Sequence, residues 1–176
     1  MRSSAASDVY KRQVLLDERN KTASKNLERV QKEQYGGIEA TINSEMERIN
    51  ATLYSEKVNP PILHLEGNSY EFFTQDDTGT GIAYKGLVVY DLAIASLTKL
   101  PILVHDSLIL KQISDEAVEN ILVRYMESGK QVIISLDKQD SYSKRTAEIL
   151  EKQCVLHLAP NGRELFGRAW SRQETC

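Results

Sequence analysis

Cysteine is almost missing from this chain. Of 176 residues only Cys154 and Cys176 carry a thiol, with neither the paired spacing of a zinc site nor the number a disulfide framework needs. Such usage suits a reducing cytoplasm, which is the expected location. No apolar run approaches the roughly 20 residues of a membrane helix, so the chain is expected to be soluble, with no membrane partner. A surplus of one charge is lacking as well: the net charge of −3 gives no general attraction to DNA or to anionic lipid, and any nucleic-acid contact must come from a local patch. There is no internal repeat, no low-complexity tract, no G-x-S-x-G nucleophile elbow, and no G-x-x-x-x-G-K-[ST] loop to cradle a phosphate.

What is present suffices for one domain with a core plus an appendage. Residues 1–13, "MRSSAASDVYKRQ", resemble translated adapter sequence from assembled environmental DNA and are set apart from the fold as artefact or disorder. Residues 14–58 are charged and helix-forming. Leu27, Val30, Ile38, Ile42, Met46, Ile49 and Leu53 recur mostly at gaps of three and four, the narrow apolar stripe of a coiled-coil helix. Gly36-Gly37 predicts a break or hinge in it, and Asn59-Pro60-Pro61 its end. Residues 59–176 then form the globular part.

There, "ILHLEGNSYEFFTQ" predicts a β-hairpin around Gly67-Asn68. Residues 83–97 predict a helix apolar nearly all round, hence buried. Strands follow at Pro101–Val104, at "QVIISLD" and at "CVLHLA", with helices at Ser114–Ser128, capped by Ser114, and at Ser143–Lys152. The tail "GRELFGRAW" is expected to finish or dock on the sheet. Apolar strands alternating with helices predict an α/β fold with a mostly parallel sheet covered on both faces.

The chemistry concentrates in "LPILVHDSLIL", Leu100 to Leu110, where a buried strand ends in His105, Asp106 and Ser107. A hydrolytic triad fails on geometry, because consecutive strand residues point to opposite faces. Open α/β sheets bind ligands outside the carboxyl ends of their strands. An aspartate there is suited to hold the Mg2+ of a nucleoside triphosphate; the plainer alternative is that Asp106 caps the following turn. Upstream, "DTGTG" offers bare backbone at Gly79 and Gly81 and hydroxyls at Thr78 and Thr80, at the start of the buried helix, where amides and dipole attract phosphate. A simple loop is the alternative.

Glycine-rich turn, long helix, apolar strand ending in Asp, helix and second apolar strand resemble the C-terminal lobe of an ABC-type P-loop ATPase head, in its coiled-coil SMC-like branch. More closely, "DTGTGIAYKGLVVYDLAIASLTKLPILVHDS", "QVIISLDK" and "ELFGRAW", within about Met46 to Trp170, resemble a bacterial C-terminal domain of unknown function that ends uncharacterised SMC-like ATPases. The resemblance implies that Asp77, Thr78, Gly79, Thr80 and Gly81 form a signature-like loop reaching ATP held by the other head. It implies that Asp106 is the Walker B aspartate, holding Mg2+ through water, and that Asp115 lies near a D-loop aspartate at looser spacing. Ser107 stands where the water-positioning glutamate is usual and Asp137 where the switch histidine is usual, so Asp137 is a candidate substitute base beside Asp106 and Ser107.

The implied partners are a missing N-terminal lobe of the same protein, carrying the phosphate loop, a second head in a homodimer, and DNA. The implied setting is genome maintenance or defence against mobile elements. Without the phosphate loop, this chain alone is expected not to hydrolyse ATP. A second reading, favoured by Ser107, is a degenerate, non-hydrolysing head that dimerises or binds a partner. A third is a self-contained α/β enzyme holding a metal on Asp106 and Asp137. His64 and His157 are expected to pack or lie at the surface, without zinc spacing to His105. Tyr84, Tyr90 and Trp170 are expected in the core and Lys85 either on phosphate or in solvent. Arg163, Arg168 and Arg172 are read as solvated, with DNA contact the alternative.

Overall fold

The charged N-terminal third forms a single helix, α1 (Arg2–Asn50). It runs unbroken through Gly36 and Gly37, whose Cα atoms face open space, so the expected hinge is absent: two glycines cost only about 2 kcal/mol of propensity, too little to break a helix this long. The helix also includes residues 2–13, which the sequence set apart, and ends at Asn50 rather than near Lys57. Its apolar residues divide by position. Ile42, Met46, Ile49 and, just past its end, Leu53 are buried, whereas Val14, Leu15, Leu16, Leu27, Val30 and Ile38 are exposed.

The computed structural model describes residues 2–137, 141–159 and 162–167, in two units, Met1–Ser135 and Leu136–Cys176. In the first, β1 (Pro61–Glu66) and β2 (Ser69–Thr74) form the expected antiparallel hairpin, with Leu63 opposite Phe72. Gly67 takes φ +55° at the turn, a conformation open to glycine at little cost.

The edge of β1 is covered by α1. Asn43 donates its amide to the Leu63 carbonyl and accepts the Leu63 N–H, both at 2.8 Å. Glu39 accepts the Leu65 N–H at 2.9 Å and meets His64 at 3.1 Å. These side chains stand in for a neighbouring strand. The Leu65 N–H and then His64 hold the Glu39 carboxyl below its ordinary range, so this contact is present above that range and lost as pH falls through the lowered value. Asn43→Ala is expected to cost about 1–3 kcal/mol, since it strips both partners from the half-buried Leu63 peptide groups; urea unfolding at neutral pH measures it.

Helix α2 (Thr80–Leu97) crosses behind the hairpin, with Val88, Val89, Leu92, Ala93 and Ala95 buried. Gly86 admits Phe72 and Pro61 so closely that an added Cβ would lie 3.4 Å from each, and Phe72 meets the Tyr90 ring edge-on at 5.7 Å. By length and composition alone α2 is long and apolar enough to cross a membrane, contrary to the sequence expectation. It packs against α1, the hairpin and β3 on one side, while Leu87 and Leu97 are exposed, so the helix is not enclosed all round as the sequence led one to expect.

β3 (Ile102–His105) pairs in parallel with β4 (Gln131–Ile134), joined through the short α3 (Ser107–Leu110) and α4 (Asp115–Glu127). Ser114 occupies the cap position of α4, but its side chain makes no capping hydrogen bond. Leu103 and His105 point into the core, while Ile102, Val104 and Ile133 remain exposed. The parallel pair is therefore covered on one face among the described residues, not on two. The second unit contains α5 (Lys144–Gln153), capped by the Ser143 hydroxyl, which accepts the Thr146 N–H. The expected strand at "CVLHLA" does not form: only Ala159 bridges, to Arg163, and Val155 is 98% exposed. Trp170, Arg168 and Arg172 lie outside the described residues.

Candidate functional site

β3 ends at His105, and Asp106 then turns the chain into α3, serving as its N-cap. One carboxylate oxygen, Oδ1, accepts the Ser107 N–H at 2.6 Å and the Ser135 hydroxyl at 2.7 Å, with the Ser107 hydroxyl at 3.4 Å. Asp106 is exposed, and among the described residues no bond to Oδ2 is recorded. The Ser135 hydroxyl and then the Ser107 N–H hold the Asp106 carboxyl below its ordinary range, with the Lys111 charge adding to this. At neutral pH it is an anion with one oxygen fixed and the other presented to solvent. Asp106 thus caps the turn and faces outward at once.

Ser135 was not among the residues singled out from sequence. The signal for it is the register: His105 pairs with Ile134, so the residues following each, Asp106 and Ser135, emerge side by side. Ser135 also accepts the Ser107 N–H, at 2.9 Å. Ser135 is thus a partner of Asp106 at the end of β4. Asp137, the candidate base, belongs to the second unit.

Behind Asp106, His105 is buried, with its Nδ1 2.5 Å from the Tyr125 hydroxyl and its Nε2 2.9 Å from Asp91 Oδ2. Burial, and secondarily the Asp91 charge, push the Tyr125 phenol well above its ordinary range, so it stays protonated beside His105 Nδ1. A carboxylate only accepts, so in the contact with Asp91 the proton lies on His105 Nε2. Asp91 and Tyr125 were also missed. The signal for Asp91 lies in α2, which carries two charged residues, Lys85 and Asp91, in an otherwise apolar or uncharged helix; charges in such a helix must find partners.

Lys85 sits neither on a phosphate nor in solvent. It is fully buried, donating to Asn50 Oδ1 at 2.7 Å and to the Asn59 carbonyl at 3.2 Å, with the Tyr54 ring 5.8 Å away. Burial pulls its pKa from 10.5 to about 8, against the opposing pull of Asp77.

The glycine turn leads into α2 as expected, with Gly79 as N-cap, but each glycine has a local use. Asp77 Oδ1 accepts the Gly79 N–H at 2.9 Å. Gly81 lies so near the 111–113 turn that a Cβ would fall 2.5 Å from the Gln112 carbonyl oxygen. Thr78 and Thr80 are exposed. The Gly79 amide is thus already occupied by the Asp77 carboxylate. Asp115 begins α4, where its charge favours the helix N-terminus. No group of three or more metal-ligating side chains occurs among the described residues.

The model of one bacterial family, described as "Uncharacterised protein conserved in bacteria (DUF2326)", matches residues 46–170. No curated protein matches the chain. Among solved structures, "Crystal structure of the SmcHead bound to the C-winged helix domain of ScpA" is 15% identical, over 59% of this chain and 35% of that one, with a TM-score of 0.44. The match thus spans about a third of the length of that solved chain.

Proposed function

Because the chain belongs to the DUF2326 family of uncharacterised bacterial proteins, we propose that it is the C-terminal lobe of the head of a coiled-coil, SMC-like ATPase, with Asp106 as the anchor for Mg2+ on a nucleoside triphosphate. The observation that carries this reading is the Asp106 carboxylate itself. It is ionised at the carboxyl end of a parallel strand, on an exposed residue held through Oδ1. The residues fit a hydrated Mg2+, which takes one or two carboxylates and keeps its waters. When bound, the ion supplies charge neutralisation at the phosphates.

Two further features support the reading. The exposed stripe of α1 suits an antiparallel coiled-coil arm, and the exposed face of β3–β4 suits a covering lobe that would supply a phosphate loop. The signature-like role of Asp77 to Gly81 needs Asp77 to release the Gly79 amide first. In the same reading the head pairs with a second copy and passes the motion of pairing along α1 to DNA or a protein partner in the cytoplasm.

Ser107 supports a second reading, a head that binds ATP as a clamp without turnover, since a hydroxyl does not take up a proton as a carboxylate does. The test is MgATP binding by the chain joined to its upstream lobe. Asp106→Asn is expected to weaken it at least about tenfold, and equal affinity would sink the assignment. Hydrolysis measured alongside separates the two readings.

A further inference from the structure

The residue that precedes the proposed metal anchor is among the most thoroughly bonded side chains of the first unit. His105 uses both ring nitrogens, Nε2 toward Asp91 on α2 and Nδ1 toward Tyr125 on α4. Its carbonyl accepts the Ser135 N–H at 3.2 Å from the end of β4. Three elements therefore hold the peptide that leads into Asp106. One of them, α2, is the helix that starts at the glycine turn.

A buried histidine with no chemistry of its own is an expensive choice for a strand. Its neighbours on the inward face are aliphatic, as Leu103 is, and an aliphatic residue would fill the space without polar groups to satisfy. The imidazole adds direction. A ring bonded at both ends resists rotation about χ1 and χ2, so the strand end sits at a fixed height relative to α2 and α4. Hydrogen bonds of this kind, made behind a metal-binding side chain, orient the groups that touch the metal.

We propose that His105, clamped by Asp91 and Tyr125, is a positioning residue that aims the Asp106 carboxylate at its metal ion and ties that carboxylate to α2. The proposal rests on the metal role assigned to Asp106 above. His105 itself touches neither metal nor nucleotide. Its part is to keep Asp106 within reach of the Ser135 hydroxyl and the Ser107 N–H, so that Oδ1 stays occupied by protein and Oδ2 stays presented. Displacement of α2 would move Asp91, and with it the strand end.

The test uses Mn2+ alone as probe on the 15N-labelled chain, reading paramagnetic broadening of the Ser107 and Ser135 amides as Mn2+ is added. Asp106→Asn should abolish the broadening. His105→Phe keeps ring volume and loses both bonds, and should weaken Mn2+ at least about tenfold. Asp91→Ala should do the same, whereas Asp91→Asn, which keeps an acceptor for Nε2–H, should recover affinity to within about twofold of the unmodified chain. Tyr125→Phe should weaken it severalfold and serves as the folded variant if His105→Phe does not fold. The histidine ring 15N shifts should show His105 as the Nε2-protonated tautomer. Unchanged Mn2+ affinity in folded Asp91→Ala and Tyr125→Phe, with affinity lost in Asp106→Asn, overturns the positioning role alone. Unchanged affinity in Asp106→Asn overturns the metal assignment, and the positioning role with it.

Discussion

Gly81→Ala is expected to destabilise the first unit by about 2 kcal/mol, while Gly37→Ala stabilises it by about 1 kcal/mol. Both glycines lie in helices, and helix propensity alone favours alanine at each by up to about 1 kcal/mol. At Gly37 nothing lies within 4 Å of the new methyl, so the propensity gain stands alone. At Gly81 the methyl would fall 2.5 Å from the Gln112 carbonyl oxygen, a backbone atom that cannot rotate away. Forced overpacking typically costs about 1–3 kcal/mol. A contact this short belongs at the upper end, and it outweighs the propensity term. The start of α2 would have to lift from the 111–113 turn. Urea unfolding of the two variants checks the opposite signs.

The largest pH effect is expected from Lys85. Its native pKa lies near 8, against 10.5 when exposed, so between these values the native state holds fewer protons than the unfolded one. Stability then rises with pH across that window and is level below it. A shift of that size corresponds to about 3 kcal/mol. Lys85→Met removes the titration. At pH 7 the relief of a buried charge is offset by the loss of two hydrogen bonds, leaving the Asn50 and Asn59 oxygens without their donor. The stability of the unmodified chain relative to Lys85→Met should therefore rise by up to about 3 kcal/mol between pH 8 and 10.5. Denaturant unfolding at the two ends of the range measures it, and a constant difference would show that the lysine is solvated.

Local patterning made some of this legible. The apolar stripe from Leu27 to Leu53 marked α1 as a one-sided helix, though only its end from Ile42 onward packs, and Gly67-Asn68 marked the hairpin turn, because both are rules about neighbouring residues. The βαβ order was also readable from alternation of apolar runs. The strand expected at "CVLHLA" shows the limit. A strand needs a partner strand to take its peptide groups, and composition does not reveal whether one arrives. Lys85 shows another limit, since a lysine is ordinarily solvated and only the helix around it, apolar on every side, hinted that this one would be enclosed. At the candidate site Asp106 was found by its position after an apolar strand. Ser135 was not, because a serine becomes meaningful only once the register sets it beside a carboxylate. Asp77 was read for the glycines that follow it, although its own carboxylate takes the Gly79 N–H.

The central claim is that the Asp106 carboxylate meets the metal of a bound nucleotide. The most direct measurement adds MnATP to the chain together with the N-terminal lobe proposed above and records which amides of the 15N-labelled chain are broadened. Ser107 and Ser135 should lose intensity first, with the effect gone in Asp106→Asn. Broadening centred elsewhere, or the same pattern in Asp106→Asn, would contradict it.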